Sequence, residues 1–300
     1  MLSRRQKHIL LKFFSMFSVI RGYHILIRVI AQYLTSIYIL AHDKPLKEVL
    51  FDANLFMLVL ASAVTIAGGY IINNFYDSEK DLINKPIKSS LDRLVSQNTK
   101  LSFYFVLNFI AVIMASYVSF KAVVFFSIYI FGIWFYSHKL KKLPFIGNLT
   151  SAVLTVTPFF AIFLYYKNFE SVIFVHATFL FLIITMRELT KDLENIKGDF
   201  IQDYHTIPVV YGESSSKIFL TILFFLTLIP IYFLLNKFQI GYMYFYFYLS
   251  IFLLLMFLVI LWKSKIKMHS LILLNILKFI IVTGVFSILL IDVGVILNRI

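Results

Sequence analysis

The chain has 300 residues, of which 60% are hydrophobic and 14% charged, and its mean hydropathy is +0.87. A soluble domain carries about 25% charged residues, so the polar surface here is too small to coat a water-soluble globule, while 34 Phe and a wealth of Ile and Leu exclude a disordered chain. The absence of Cys excludes a disulfide scaffold, thiolate metal sites, Fe–S clusters and thiol catalysis, and the net charge of +13 has to be located along the chain before it is assigned a partner.

A helix needs about 20 mostly apolar residues to cross about 30 Å of hydrocarbon. Nine such stretches follow one another at 17–41, 52–74, 101–119, 121–137, 147–166, 171–190, 216–235, 241–262 and 270–292. None alternates with period two, so a β-barrel is excluded. The residues from Leu101 to Tyr136 would make one helix of about 54 Å, too long for one crossing, which places a break at Ser119-Phe120-Lys121. The first stretch follows a basic start (Arg4, Arg5, Lys7, Lys12), is too long for a signal-peptide core, and reads as a retained span. The expected fold is all-α: a polytopic membrane helical bundle of about nine transmembrane helices with a central cavity open toward the cytoplasmic side. It forms a single domain over 1–300, with the polar motifs within 16–215 and three further spans in 216–300. Those last three spans carry few charges and read as scaffold and lipid-facing wall. Pro158 and Pro230 fall within spans and predict kinks; Gly68-Gly69 predicts close helix packing.

The basic residues set the orientation. With the N-terminus cytoplasmic, 19 Lys and Arg fall on inner segments, Lys265 among them, and 6 on outer segments, Arg299 among them, with Arg21, Arg28 and Lys278 inside spans. This split obeys the positive-inside rule and accounts for most of the net charge as a topology signal and an attraction to anionic lipid, with no nucleic-acid patch. The expected location is an integral position in a bacterial inner (cytoplasmic) membrane, N-terminus inside.

Ten of the fifteen acids fall in two segments: Asp77, Glu79, Asp81 and Asp92 after span two, and Glu188, Asp192, Glu194, Asp199, Asp203 and Glu213 after span six. Four crossings separate them, so both lie on the same face of the membrane. Asp77 and Asp81 are i,i+4, and Asn73 and Asn74 lie four and three residues before Asp77, so all four can share a helical face. Glu188, Asp192, Asn195 and Asp199 are spaced i, i+4, i+7, i+11, a single stripe. Two oxygen-rich stripes at one depth suit hard cations, and Mg²⁺ binds through one or two carboxylates and completes its shell with water and substrate phosphates. A diphosphate held through metal follows. Solvated carboxylates paired with neighbouring lysines are the simpler reading of either segment alone; both together, matched in spacing and side, favour the metal.

At these residues the chain resembles the UbiA superfamily of intramembrane prenyltransferases. Its first motif, Asn-Asp-x-x-Asp-x-x-x-Asp, is met by Asn73, Asp77 and Asp81, with Asn74 replacing the first Asp. Its second, Asp-x-x-x-Asp, is met by Asp199, with Asn195 replacing the first Asp and Asp192 supplying a carboxylate three residues earlier. Asn84-Lys85-Pro86, Tyr136-Ser137, Leu140-Lys141-Lys142 with Pro144, Gly147-Asn148-Leu149 and Thr206-Ile207-Pro208 also look like the family, and Lys191 to Asp199 is most similar to the branch that prenylates glycerol-phosphate ethers. Arg21 sits where the family has an Arg-x-x-Asn, and His24 departs from it.

The resemblance implies Mg²⁺-dependent transfer of an isoprenyl group from a polyprenyl diphosphate to a lipophilic acceptor within membrane lipid. The acceptor would be a glycerol-phosphate ether, with a quinone-type aromatic acceptor as the alternative. It implies that Asp77 and Asp81, with Asn73 and Asn74 as secondary oxygen donors, hold one Mg²⁺ and that Asp199 and Asp192, with Asn195, hold another. These four aspartates are then the expected catalytic residues. Arg21, Asn73, Tyr136 and Lys141 would contact the substrate, Lys141 and Arg21 through diphosphate oxygens and Tyr136 by a hydrogen bond. Arg28 lies deeper and needs a partner or a water-filled cavity. Two readings of other classes stay open at this point: a transporter with an acidic lining, and a degenerate relative that binds lipid without chemistry.

Overall fold

The computed structural model describes residues 4–263, 266–292 and 294; Lys265 and Arg299 lie outside them. Thirteen α-helices follow one another, and no strand occurs among the described residues. They are α1 (Arg4–Ile20), α2 (Gly22–Thr35, continued by a π-turn at Ser36–Leu40), α3 (Leu46–Leu50), α4 (Ala53–Tyr76), α5 (Ser78–Asn84), α6 (Pro86–Asp92) and α7 (Gln97–Val118). Then come α8 (Phe120–His138), α9 (Ile146–Tyr166), α10 (Ser171–Ile201), α11 (Ile207–Lys237, kinked at Gly212, φ 81°), α12 (Tyr244–Lys263) and α13 (Ile266–Ser287). Among the described residues, nine helical segments are long and apolar enough to cross a membrane, and the chain is a polytopic helical membrane protein.

Two boundaries differ from the sequence reading. The first span does not begin at 17: Arg21 takes the left-handed conformation (φ 55°) and ends α1, so residues 17–20 belong to α1 and the crossing starts at Gly22. Helix α1 is tied to α6, where Ser15 Oγ donates to the Leu91 carbonyl (2.8 Å) and Ser18 Oγ to Asp92 Oδ1 (3.5 Å). Val19 is buried while Leu11, Phe14 and Phe17 stay exposed, the pattern of a helix lying along an interface. The sixth span does not stop at 190. Helix α10 runs unbroken for 31 residues, about 46 Å, which exceeds the hydrocarbon by several turns, so its carboxylates ride on a helix that projects from the membrane.

Elsewhere the local chemistry acts as read. Ser119 is extended (φ −173°, ψ 161°) and its Oγ caps α8 by accepting from Ala122 N at 3.1 Å, which makes the break between spans three and four. Pro158 cannot donate to the Leu154 carbonyl, and the Tyr129 hydroxyl of α8 donates to it instead at 3.0 Å. A Cβ at Gly68 would meet Asn108 Oδ1 at 3.1 Å and one at Gly69 would meet Ile133 at 3.1 Å, so the glycine pair lets α7 and α8 close on α4.

The two central helices are α4, surrounded by α2, α7, α8 and α9, and α10, surrounded by α9, α11 and α13. Fully buried Leu55, Ile183, Met186, Phe247 and Phe257 belong to one continuous apolar cluster that joins α10 to the last three spans. Helices α4 and α10 face each other across a cavity and meet through α5. There the Asn84 carboxamide accepts from Gly198 N (3.0 Å) and donates to the Asn195 carbonyl (3.4 Å). That clamp requires bare backbone, because a Cβ at Gly198 would collide with the Asn84 carboxamide. Gly198→Ala is expected to cost about 1–3 kcal/mol through this overlap. A thermal melt of the detergent-purified variant that matches the parent would show that the clamp does not hold the two helix ends.

Candidate active site

The structure brings the two acidic segments to the same end of the bundle. Asp77 ends α4 and opens α5, 6% exposed. Its Oδ1 accepts from Lys141 Nζ (2.8 Å) and the Tyr204 hydroxyl (3.1 Å), and Lys80 Nζ lies 3.4 Å away. The same Lys80 ammonium reaches Asp199 Oδ1 on α10 at 3.2 Å and sits 4.3 Å above the Tyr204 ring. Burial raises the Asp77 carboxyl, but the ammonium groups of Lys141 and Lys80 outweigh it and hold the acid well below the ordinary carboxylate range. Burial lowers Lys80, and the carboxylates of Asp77 and Asp199 more than reverse it, so the bridging ammonium is held well above the ordinary lysine value. Lys80 therefore stays charged between Asp77 and Asp199.

Asp199 is 1% exposed; its Oδ2 accepts from Thr206 Oγ1 (3.4 Å), while Oδ1 is buried without a hydrogen bond, close to Lys80 but poorly aligned with it. Asp192 Oδ2 accepts from Asn148 Nδ2 at 2.6 Å. Glu188, one turn before it, is paired with Arg187 (2.6 Å) and Lys191 (3.3 Å). Asn195 is buried on the same stripe, and its carbonyl takes the Asn84 clamp. Asp81 is half-buried and makes no side-chain hydrogen bond or ion pair among the described residues. Asn73 Oδ1 accepts from Lys141 at 3.4 Å.

Asn74 does not join this group. Its Nδ2 donates to Asp92 Oδ2 (3.0 Å) and its Oδ1 accepts from Lys100 Nζ (2.8 Å), with Lys100 1% exposed. Both ends of the amide are committed to a buried ionic network behind the site, and neither contacts Asp77 or Asp81. Sequence reasoning also passed over Lys80, Tyr204 and Asn148 as site residues. The i,i+3 spacing of Asp77 and Lys80 is a signal for the first; nothing in the sequence marks Tyr204, which the turn after α10 brings back onto Asp77.

Among the described residues, no three His, Asp or Glu side chains stand close enough to hold a metal ion. The donors nevertheless fit a hard divalent cation in kind. They are all oxygen, Asp81 is unpaired, and Asp199 Oδ1 is a buried acceptor without a hydrogen bond. Lys80 and Lys141 supply the positive charge that these acids require in the arrangement seen.

Beside the aspartates lies a cavity of about 380 Å³ between α2, α4, α8, α9, α10 and α13. Asn73, which contacts Lys141, lines it, as do Arg21, Arg28, Tyr136 and Arg187. A second cavity of about 140 Å³ shares Ala31, Phe159, Leu180, Ile281 and Val285 with the first and continues among apolar side chains such as Ile183, Phe247 and Ile288. The two adjoin one another, the first lined by cations and the second almost wholly apolar. Lys278, Ile281, Val282 and Val285 of α13 line it, so the ninth span is part of the site wall; the expectation that spans seven to nine are only scaffold is corrected there.

The pattern of the UbiA prenyltransferase family matches residues 30–279. With that match over most of its length, this chain belongs to the UbiA prenyltransferase family. It is 33% identical over 202 residues to the digeranylgeranylglyceryl phosphate synthase of Thermococcus sibiricus, covering 67% of this chain and 70% of the relative. It is 29% identical over 238 residues to that of Methanobrevibacter smithii, covering 75% and 80%. In fold it is similar to a UbiA homolog from Archaeoglobus fulgidus solved with GPP and Mg²⁺, with a TM-score of 0.65 at 14% identity, covering 91% of this chain and 99% of that one. A structure of digeranylgeranylglyceryl phosphate synthase in membranes aligns with a TM-score of 0.69 at 22% identity over 95% and 99% of the two chains.

Two substitutions separate the ionic roles. Lys80→Met leaves Asp77 and Asp199 facing each other without their bridge, a change of the kind that costs about 3–5 kcal/mol when one partner of a buried pair is removed. The variant should melt below the parent in EDTA and be raised more than the parent by Mg²⁺; equal Mg²⁺ shifts would refute the bridging role. Asn74→Ala strips Lys100 of its hydrogen-bond partner and should lower stability by about 1–3 kcal/mol while leaving the Mg²⁺ dependence unchanged. A weakened Mg²⁺ response in titrations would return Asn74 to the metal site.

Proposed function

We propose that the chain transfers an isoprenyl group from an isoprenyl diphosphate to the hydroxyl of a glycerol-phosphate ether within the membrane. The observation that carries this reading is the meeting of two acidic motifs, far apart in sequence, through Lys80 beside an amphipathic cavity. The relatives at 33% and 29% identity, named for digeranylgeranylglyceryl phosphate synthesis, support a glycerol-phosphate acceptor over an aromatic one.

Asp77 and Asp81 on one side, and Asp192 and Asp199 with Asn195 on the other, are the residues that would hold Mg²⁺. Bound there, it supplies neutralisation of the charge that grows on the departing diphosphate. Lys141 and Arg21 bind diphosphate oxygens, Asn73 orients Lys141, and Tyr136, which lines the cavity, donates a hydrogen bond. The allylic C–O bond breaks with its electron pair leaving on the diphosphate. The acceptor hydroxyl oxygen forms the new C–O bond and releases its proton. The apolar extension holds the prenyl chain and keeps water from the allylic cation, whose positive character the aromatic rings of Tyr129 and Phe159 favour. The Lys and Arg distribution supports placing the N-terminus and the aspartate end on the cytoplasmic side of a cytoplasmic membrane, with residues 1–300 as one domain.

Purified protein in detergent, given geranylgeranyl diphosphate, Mg²⁺ and either a single-chain prenylglyceryl phosphate or 4-hydroxybenzoate, should release diphosphate and prenylate only the first. Asp77→Ala should reduce turnover by about 100-fold or more. Full turnover of that variant, or prenylation of the benzoate alone, would overturn the reading.

A further inference from the structure

The cavity carries more positive charge than its acids balance. Arg21 and Arg28 of α2, Arg187 and Lys191 of α10 and Lys278 of α13 all line it, and Glu188 is the one carboxylate among its described lining residues. Glu188 is spent on Arg187 and Lys191. Arg21, Arg28 and Lys278 have no carboxylate partner among the described residues; the two arginines lie over the same Tyr70 ring, at 5.3 and 5.9 Å. His24 lines the same cavity, within electrostatic reach of Arg21, Arg28, Arg187 and Lys278. Arg28 lies about two turns into its helix and Lys278 about three, within segments apolar enough to cross a membrane. Such charges are costly in a span unless they face a polar cavity and an opposite charge.

Two of these cations, Arg28 and Lys278, pair with none of the aspartates among the described residues. Lys80 and Lys141 are the bases that touch Asp77 and Asp199, whereas Arg28 and Lys278 come from helices that carry neither acidic motif. The space adjoining them leads into the apolar extension through Ala31, Ile281 and Val285. The complementary ligand is a compact dianion on an apolar chain. Guanidinium groups bind the oxygens of phosphate, as of carboxylate, in pairs, and of the two anions the phosphate monoester carries close to two charges to set against several cations.

We infer that Arg28, Arg187 and Lys278 form an intramembrane anion subsite that holds the phosphate monoester of the acceptor, separate from the diphosphate held at the aspartates. The inference rests on the transferase reading above and assigns its acceptor specificity to these three residues. A phosphate on the acceptor is bound at the α2–α10–α13 corner while its hydroxyl is presented toward the donor, and an alcohol without that phosphate loses the contact.

The same anion chemistry could come from the donor, and the experiment separates the two. Binding of a single-chain prenylglyceryl phosphate to the purified full-length protein is measured in EDTA, without donor, beside the corresponding neutral prenylglycerol. Geranylgeranyl diphosphate binding is measured with Mg²⁺. Arg28→Gln and Lys278→Gln should each weaken the phosphate lipid by about tenfold or more, leave the neutral lipid unchanged, and leave the donor within about twofold. Lys278→Arg, which keeps the charge and the fold, should recover the phosphate lipid. Equal binding of the phosphate and neutral lipids by the parent, or a loss confined to the donor, overturns the subsite. If the parent binds the phosphate lipid through Arg28 and Lys278 but never prenylates it, the subsite stands and the acceptor assignment of the transferase reading falls.

Discussion

A single ammonium group, that of Lys80, stands between Asp77 and Asp199 and joins the ends of two helices that otherwise face each other across a cavity. Carboxylates taken out of water need opposite charge close by, and the cost of leaving them bare exceeds that of most packing errors. The rest of the site follows from that requirement. Lys141 comes from the turn after α8 and Tyr204 from the turn after α10 because Asp77 Oδ1 accepts from both. Asn84 fixes the distance between α5 and α10 so that Lys80 can reach across. The helical scaffold brings the acids near one another, and the bases decide how closely they approach.

The molecule also keeps its two kinds of charge in separate places. The acids lie at the ends of α4 and α10 with lysines against them, while arginines and two lysines from α2, α10 and α13 line the adjoining cavity with one carboxylate among them. A diphosphate bearing a prenyl chain and a lipid bearing a phosphate would make different demands on such a space. The first requires charge neutralised at the bond that breaks; the second requires an anchor that leaves its hydroxyl free. Dividing the charges lets one amphipathic volume meet both, with the apolar extension common to the chains.

The spans and the acidic stripes were legible because helical periodicity and apolar length are local properties. The membrane crossings, the break at Ser119 and the role of Gly68-Gly69 needed no tertiary information. The direction in which a side chain points was not legible. Asn73 and Asn74 are neighbours on one helical turn, yet about 100° of rotation sends one toward Lys141 and the other toward Asp92. The left-handed Arg21 that separates α1 from the first crossing is invisible to hydropathy, because apolar residues continue on both sides of it. The sequence placed Lys278 only inside a span, and it is the packing of α13 against α2 and α10 that brings it to the cavity.

The Asn at position 74 departs from the acidic pattern of the family's first motif, and its surroundings show why an amide suits this chain. The residue must donate to Asp92 and accept from Lys100 at the same time. An ionised carboxylate accepts only; in that place it would keep Lys100, lose the bond to Asp92 and set two buried acids oxygen to oxygen. An amide satisfies one buried acid and one buried base with a single side chain and adds no charge. Away from that network, Lys80 answers Asp77 and Asp199, Lys141 answers Asp77, and the Asn148 amide answers Asp192, while Asp81 makes no ion pair among the described residues. The substitution is therefore accounted for by the network behind the site.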